Sequence, residues 1–171
     1  MKPKNAMISI VFAVLAGKST ISQAAPRPLQ VAQNACPAHD FESFFAEFIE
    51  SSAVRRRYTG STIEVGSIAA PRQRGTVQRA NPERFDITMF EYNYADTASV
   101  ERWEKNRTPY VDLSLNWTKL PGGGWRITYQ QATMRDDGEG DGKTLVRKIG
   151  KPRAYIFAPE KGCWKLVRWL K

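Results

Sequence analysis

Apolar residues near the start of the chain recur at helical spacing. Phe41, Phe44, Phe45, Phe48 and Ile49 fall at i, i+3, i+4, i+7 and i+8, which lines one face of a helix. Asp40 supplies the N-cap, and Glu42 suits the positive end of the helix dipole. Arg55, Arg56 and Arg57 complement the negative end, and Gly60 gives a stop signal. A stripe of phenylalanines at this spacing is core before it is a ligand site.

Further along, the period changes to two. Residues 61–68 alternate Ile63 and Val65 and predict a short strand, and 69–82 read as an arginine-rich loop. Residues 84–94 have strand-like composition, and 97–106 predict a short helix capped by Thr97. In 110–120, Val111, Leu113, Leu115 and Trp117 alternate with Asp112, Ser114, Asn116 and Thr118, the mark of a half-buried strand. Pro121–Gly124 turns the chain into an alternating run over 125–135, so the two runs predict a hairpin. A second turn at 136–142 leads to 143–149, and Lys151-Pro152 punctuates the chain before strands at 153–158 and 163–170. In the last strand, Trp164 and Leu166 share the face turned to the phenylalanine helix. Cys163, Lys165, Val167, Trp169 and Lys171 take the other face. The expected fold is α+β: an N-terminal amphipathic helix packed on a curved antiparallel sheet.

Residues 1–24 have the layout of a secretory leader. Lys2 and Lys4 precede an uncharged apolar run, and Ser22-Gln23-Ala24 offers small residues for cleavage. The apolar run is about half the ~20 residues a membrane helix needs. Residues 25–35 read as a tether, and 36–171 as a single domain of usual size. Loss of Lys2, Lys4 and Lys18 with the leader lowers the formal net charge from +9 to +6, so the domain is basic in its own right. An exported chain is expected in the periplasm or outside the cell, where nucleic acid is not the expected anionic partner. Cys36 and Cys163 are the two cysteines of the chain, and an even pair in an exported protein predicts a disulfide.

The aromatic segment FESFFAEFI near the start and AYIF…GCWKLV at the end are similar to the cone-shaped nuclear transport factor 2-like superfamily. The likeness spans residues 40–171. It implies a helix wrapped by a curved sheet, and a superfamily that holds isomerases, dehydratases and binding modules alike. It therefore bears on fold more than on function. Enzymes of that kind use an Asp base and a Tyr or Asp donor inside the cone. The corresponding pocket candidates here are Asp86, Tyr92, Asp112 and Tyr129, with Tyr94 also available.

Other chemistry is thinly represented. Asp137, Glu139, Asp141 and Gly142 imitate the start of a calcium loop, but the closing bidentate position holds Lys148. His39 is the single histidine, which leaves few ligands for zinc. No cofactor or metal is expected, and no nucleophile elbow, metalloprotease or phosphate-loop motif occurs. The basic residues stand out instead. Arg55, Arg56, Arg57, Arg72, Arg74, Lys165 and Arg168, with Trp169, are the candidates for contact with a partner. A later basic group is Lys143, Arg147, Lys148, Lys151, Arg153, Lys161, Lys165, Arg168 and Lys171. The reading favours a non-enzymatic exported binding domain that recognises a protein or an anionic envelope component. An immunity or inhibitor protein against an envelope-targeting toxin or hydrolase is one version. The alternative is a cone-pocket enzyme or small-ligand carrier using Asp and Tyr groups.

Overall fold

The computed structural model describes residues 36, 38–136 and 143–171; the leader, the tether and the acidic turn residues Asp137, Glu139 and Asp141 lie outside them. The elements run α1 (Phe41–Glu50), α2 (Ser52–Tyr58), β1 (Thr59–Gly66), β2 (Thr76–Arg79), β3 (Ile87–Phe90), β4 (Asn93–Asp96), α3 (Thr97–Asn106), β5 (Asp112–Lys119), β6 (Trp125–Asp136), β7 (Lys143–Glu160) and β8 (Cys163–Leu170). Among the described residues the fold is α+β, with three α-helices and one eight-stranded sheet in the order β2-β1-β8-β7-β6-β5-β4-β3.

The sheet is mixed, not wholly antiparallel. β1 lies parallel to β8 and antiparallel to β2, and every other neighbouring pair is antiparallel. The parallel pair joins the two ends of the domain, a long-range choice that strand patterning does not encode. β2 lies within the stretch expected to be a loop. Its four residues are all exposed, so no buried alternation announces it, and backbone pairing to β1 alone makes it a strand. The strand expected over 84–94 is a hairpin, because Glu91 and Tyr92 both take left-handed backbone angles, φ 47° and 64°, the geometry of a tight β-turn. β7 runs through Gly150 and Pro152, where the sequence predicted a break.

The apolar stripe of α1 is buried: Phe41, Phe44, Phe45, Phe48 and Ile49 belong to the core with Phe85, Ile127, Tyr155, Phe157 and Leu166. Asp40 caps the helix by accepting from the Ser43 N–H at 2.9 Å, and that bond lowers its carboxyl below the ordinary value. The helix ends at Ser51, whose hydroxyl accepts from the Val54 N–H and starts α2. Gly60 is therefore not a helix stop; it lies inside β1. Asp96, not Thr97, caps α3 through the Ser99 N–H.

Cys36 and Cys163 form a disulfide with Cα atoms 5.2 Å apart and 127 positions between them. It ties the approach to α1 to the start of β8. In the chain-entropy model a loop of that length stabilises by about 4–5 kcal/mol. Among the described residues, no helix is long and apolar enough to cross a membrane.

Candidate functional site

The face of the sheet under α1 continues into a polar aromatic region. Phe85 stacks on Tyr155 at 4.4 Å between ring centroids, Tyr155 stacks on Tyr129 at 5.1 Å, and Trp169 stacks on Tyr155 at 6.1 Å. Tyr129 and Tyr155 come from neighbouring strands, β6 and β7. Trp169 reaches them because the β7–β8 register slips: Phe157 faces Leu166, but Ile156 faces Arg168. The slip leaves Val167 as an extra residue, a bulge that re-aims the side chains beyond it. Trp169 is thereby moved off the Lys165 face, where strict alternation put it, and onto the face of Tyr155.

Asp86 enters this region from the loop before β3. Its Oδ2 accepts the Tyr129 hydroxyl at 2.6 Å and Arg153 Nη1 at 3.1 Å. Its N–H donates to the Tyr155 hydroxyl at 3.2 Å. Trp169 Nε1 donates to the Tyr129 hydroxyl at 3.0 Å. Burial, followed by the neighbouring Tyr155 and Asp86, pushes the Tyr129 hydroxyl far above its ordinary pKa. Burial and the Asp86 charge push Tyr155 up as well. Both phenols stay protonated: Tyr129 donates to Asp86, and the Tyr155 oxygen accepts from the Asp86 N–H. One oxygen of Asp86 serves both Tyr129 and Arg153, so the carboxylate ties β6 and β7 to the loop before β3.

Next to the network is a cavity of about 360 Å³. Ile63, Val65, Phe85, Leu166 and Trp169 form an apolar wall, Asp86 and Tyr155 mark its inner end, and Arg79 and Arg84 stand exposed at the rim. Thr59 also lines it. That residue is 8% exposed, and its hydroxyl is buried with no hydrogen-bond partner. Thr97 Oγ1, Arg126 Nε and Arg168 Nε are buried without a partner in the same way.

The residues proposed from sequence separate into distinct places. Asp86 and Tyr129 converge. Tyr92 does not join them: it sits on the β3–β4 turn and is 80% exposed. Asp112 is also elsewhere, 3.2 Å from Lys143 Nζ in a half-buried ion pair. Lys143 in turn donates to the Tyr110 hydroxyl, which donates to Glu91. Burial opposes the Lys143 charge, but bonds to Tyr110 and Asp112 outweigh it and raise its pKa. Sequence reasoning missed Tyr155, Arg153 and Thr59. Tyr155 alone left a signal, as a hydroxyl-bearing ring inside an apolar strand that needs a partner.

The basic candidates divide similarly. Arg55 donates to the carbonyls of Ile49 at 2.6 Å and Pro82 at 3.0 Å, so it caps the end of α1. Arg168 pairs with Glu64 and donates to the carbonyls of Pro71 and Gln73, holding the 67–75 loop against β8. Arg56 pairs with Glu83 at 2.7 Å on the surface. Arg57 lies over the Tyr58 ring, and with Lys165 it lines a charged groove beside Cys163. Lys165 is paired with Glu160. Arg72 and Arg74 are exposed. Among the described residues, no group of three or more His, Cys, Asp or Glu side chains could hold a metal ion.

No protein-family model, curated protein or solved structure matches the chain.

Proposed function

We propose that this chain is an exported binding domain whose cavity beside Asp86 and Trp169 takes a small apolar molecule bearing an anionic group. The apolar wall of Ile63, Val65, Phe85, Leu166 and Trp169, lying in one cavity with the exposed Arg79 and Arg84, carries the reading. The apolar body of the ligand would lie against Leu166 and Trp169, and its charge would meet Arg79 and Arg84 at the rim. Beside the ligand, Asp86 holds Tyr129 and Arg153 in place. Export is supported by the leader-like residues 1–24 and by the Cys36–Cys163 disulfide, which persists in an oxidising compartment. Kinship with the nuclear transport factor 2-like proteins belongs to the same proposal, supported by an aromatic helix lying against a mixed sheet beside a pocket.

Titration calorimetry with naphthalene-2-carboxylate and its neutral alcohol analogue tests the reading. The acid is expected to bind saturably, more tightly than the alcohol and more weakly as salt rises. Val65→Trp, which fills the cavity from one wall, is expected to abolish binding while the circular dichroism stays native. Equal binding by the filled variant, or no saturable binding of either probe, refutes the proposal.

A further inference from the structure

β7 is paired on both sides only over part of its length. Its register with β8 begins at Ala154 opposite Leu170, whereas its register with β6 continues back to Lys143. Over residues 145–149, no strand flanks the second edge of β7 among the described residues. A strand edge left open in this way presents unsatisfied backbone donors and acceptors and can take up a further strand.

The side chains there are not those of a solvated edge. Leu145, Val146 and Ile149 are 43%, 55% and 40% exposed, which concentrates large apolar side chains in one short stretch. Arg147 and Lys148 lie between them, with Lys151 just beyond. The base of this arm is anchored, since Lys143 is tied to Asp112 and Tyr110 on the body of the sheet. The register with β6 slips between Leu145 and Arg147 and leaves Val146 as an extra residue, so the edge is apolar and basic with one bulge in it. A second copy of this chain pairing antiparallel here would bring Arg147 and Lys148 close to their own copies, and like charges across a strand pair are destabilising.

We propose that the open edge of β7 over residues 145–149 receives an extended acidic segment of a partner protein as an added strand. The backbone supplies affinity. Leu145, Val146 and Ile149 cover the apolar side chains of the segment, and Arg147 and Lys148 select for its carboxylates. This surface is separate from the cavity beside Asp86, and neither proposal needs the other.

The probe is a labelled peptide of about eight residues alternating Glu and Val, compared with a Lys-Val counterpart. Fluorescence anisotropy is expected to show saturable binding of the Glu-Val peptide alone, weakened at least about tenfold from 50 to 500 mM salt. R147E/K148E, two exposed substitutions, is expected to reverse the preference between peptides. Amide exchange is expected to slow over residues 145–149 when the peptide binds. Three results overturn the proposal: no saturable Glu-Val binding, an unchanged preference in R147E/K148E, or protection that appears elsewhere. Dimerisation of the peptide-free protein, abolished by Leu145→Lys, would assign the edge to a second copy and also overturn it.

Discussion

The two ends of the sheet face under α1 are both built from aromatic rings, yet they are different kinds of place. Beneath the helix, Phe41 stacks on Trp125 at 4.9 Å and meets Trp164 edge-on at 5.3 Å, while Phe45 meets Trp117 at 4.9 Å. Phe44, Phe45, Phe48 and Phe157 are completely buried. At this end Trp164 Nε1 donates to the Gly123 carbonyl. At the other end the rings carry hydroxyls and an indole N–H, a carboxylate gathers them, and a cavity opens beside them. Aromatic content alone does not separate a core from a site. What separates them is whether each ring brings a polar atom that must be satisfied, since burying such an atom unpaired costs more than burying a ring gains in contacts.

The comparison is open to test, starting where the effect is largest. Phe44→Ala removes a fully buried ring from the filled end and is expected to cost about 3–5 kcal/mol in urea unfolding. Replacing both Cys36 and Cys163 with Ser at the same end is expected to cost about 2–5 kcal/mol; mass measurement of the unreduced wild type should show no free thiol.

The polar end should respond less in stability. Asp86→Ala leaves the Tyr129 hydroxyl and Arg153 without their acceptor, and about 1–3 kcal/mol of destabilisation is expected. If that substitution costs as much as Phe44→Ala, the two ends are one core and the contrast fails. Proton linkage sharpens the same point. Tyr129 and Tyr155 have folded pKa values raised above the ordinary phenol value. Their contribution is therefore complete below about pH 10 and lost as pH rises above it. Stability measured from neutral pH upward should fall steeply past that point, and Tyr129→Phe should flatten the fall, whereas Phe44→Ala should leave its shape unchanged.

The smallest effect belongs to Asp40, at the exposed start of α1. Its lowered pKa contributes stability above the ordinary carboxylate range, and that contribution disappears as pH falls through its folded value. Asp40→Ala should lower the melting temperature slightly at neutral pH and hardly at all in acid.

Much of the architecture was legible in short-range order. Helical spacing of the phenylalanines, alternation through Leu113, Leu115 and Trp117, and the parity of two cysteines each reflect a local rule, and the helix Phe41–Glu50, strand β5 and the disulfide agree with them. The candidate site was legible only in part. Asp86 and Tyr129 were among its expected members, but so were Tyr92 and Asp112, which the fold sends elsewhere. Arg55 and Arg168 were expected at a partner surface; both donate to backbone carbonyls, Pro82 for Arg55 and Pro71 for Arg168, which periodicity does not reveal.

The sequence by itself determined which segments carry an apolar face, where the chain turns at Pro121–Gly124, that the domain is basic, and that its two cysteines suit each other. Only the tertiary structure decided that β1 pairs with β8, that the bulge at Val167 swings Trp169 onto the tyrosines, and that Asp86 meets Tyr155 and Arg153 from 69 and 67 positions away. The physical reason is range. Periodicity and capping act over one or two turns of chain, whereas a register slip or a buried hydrogen bond is chosen by groups that become neighbours only when the sheet closes.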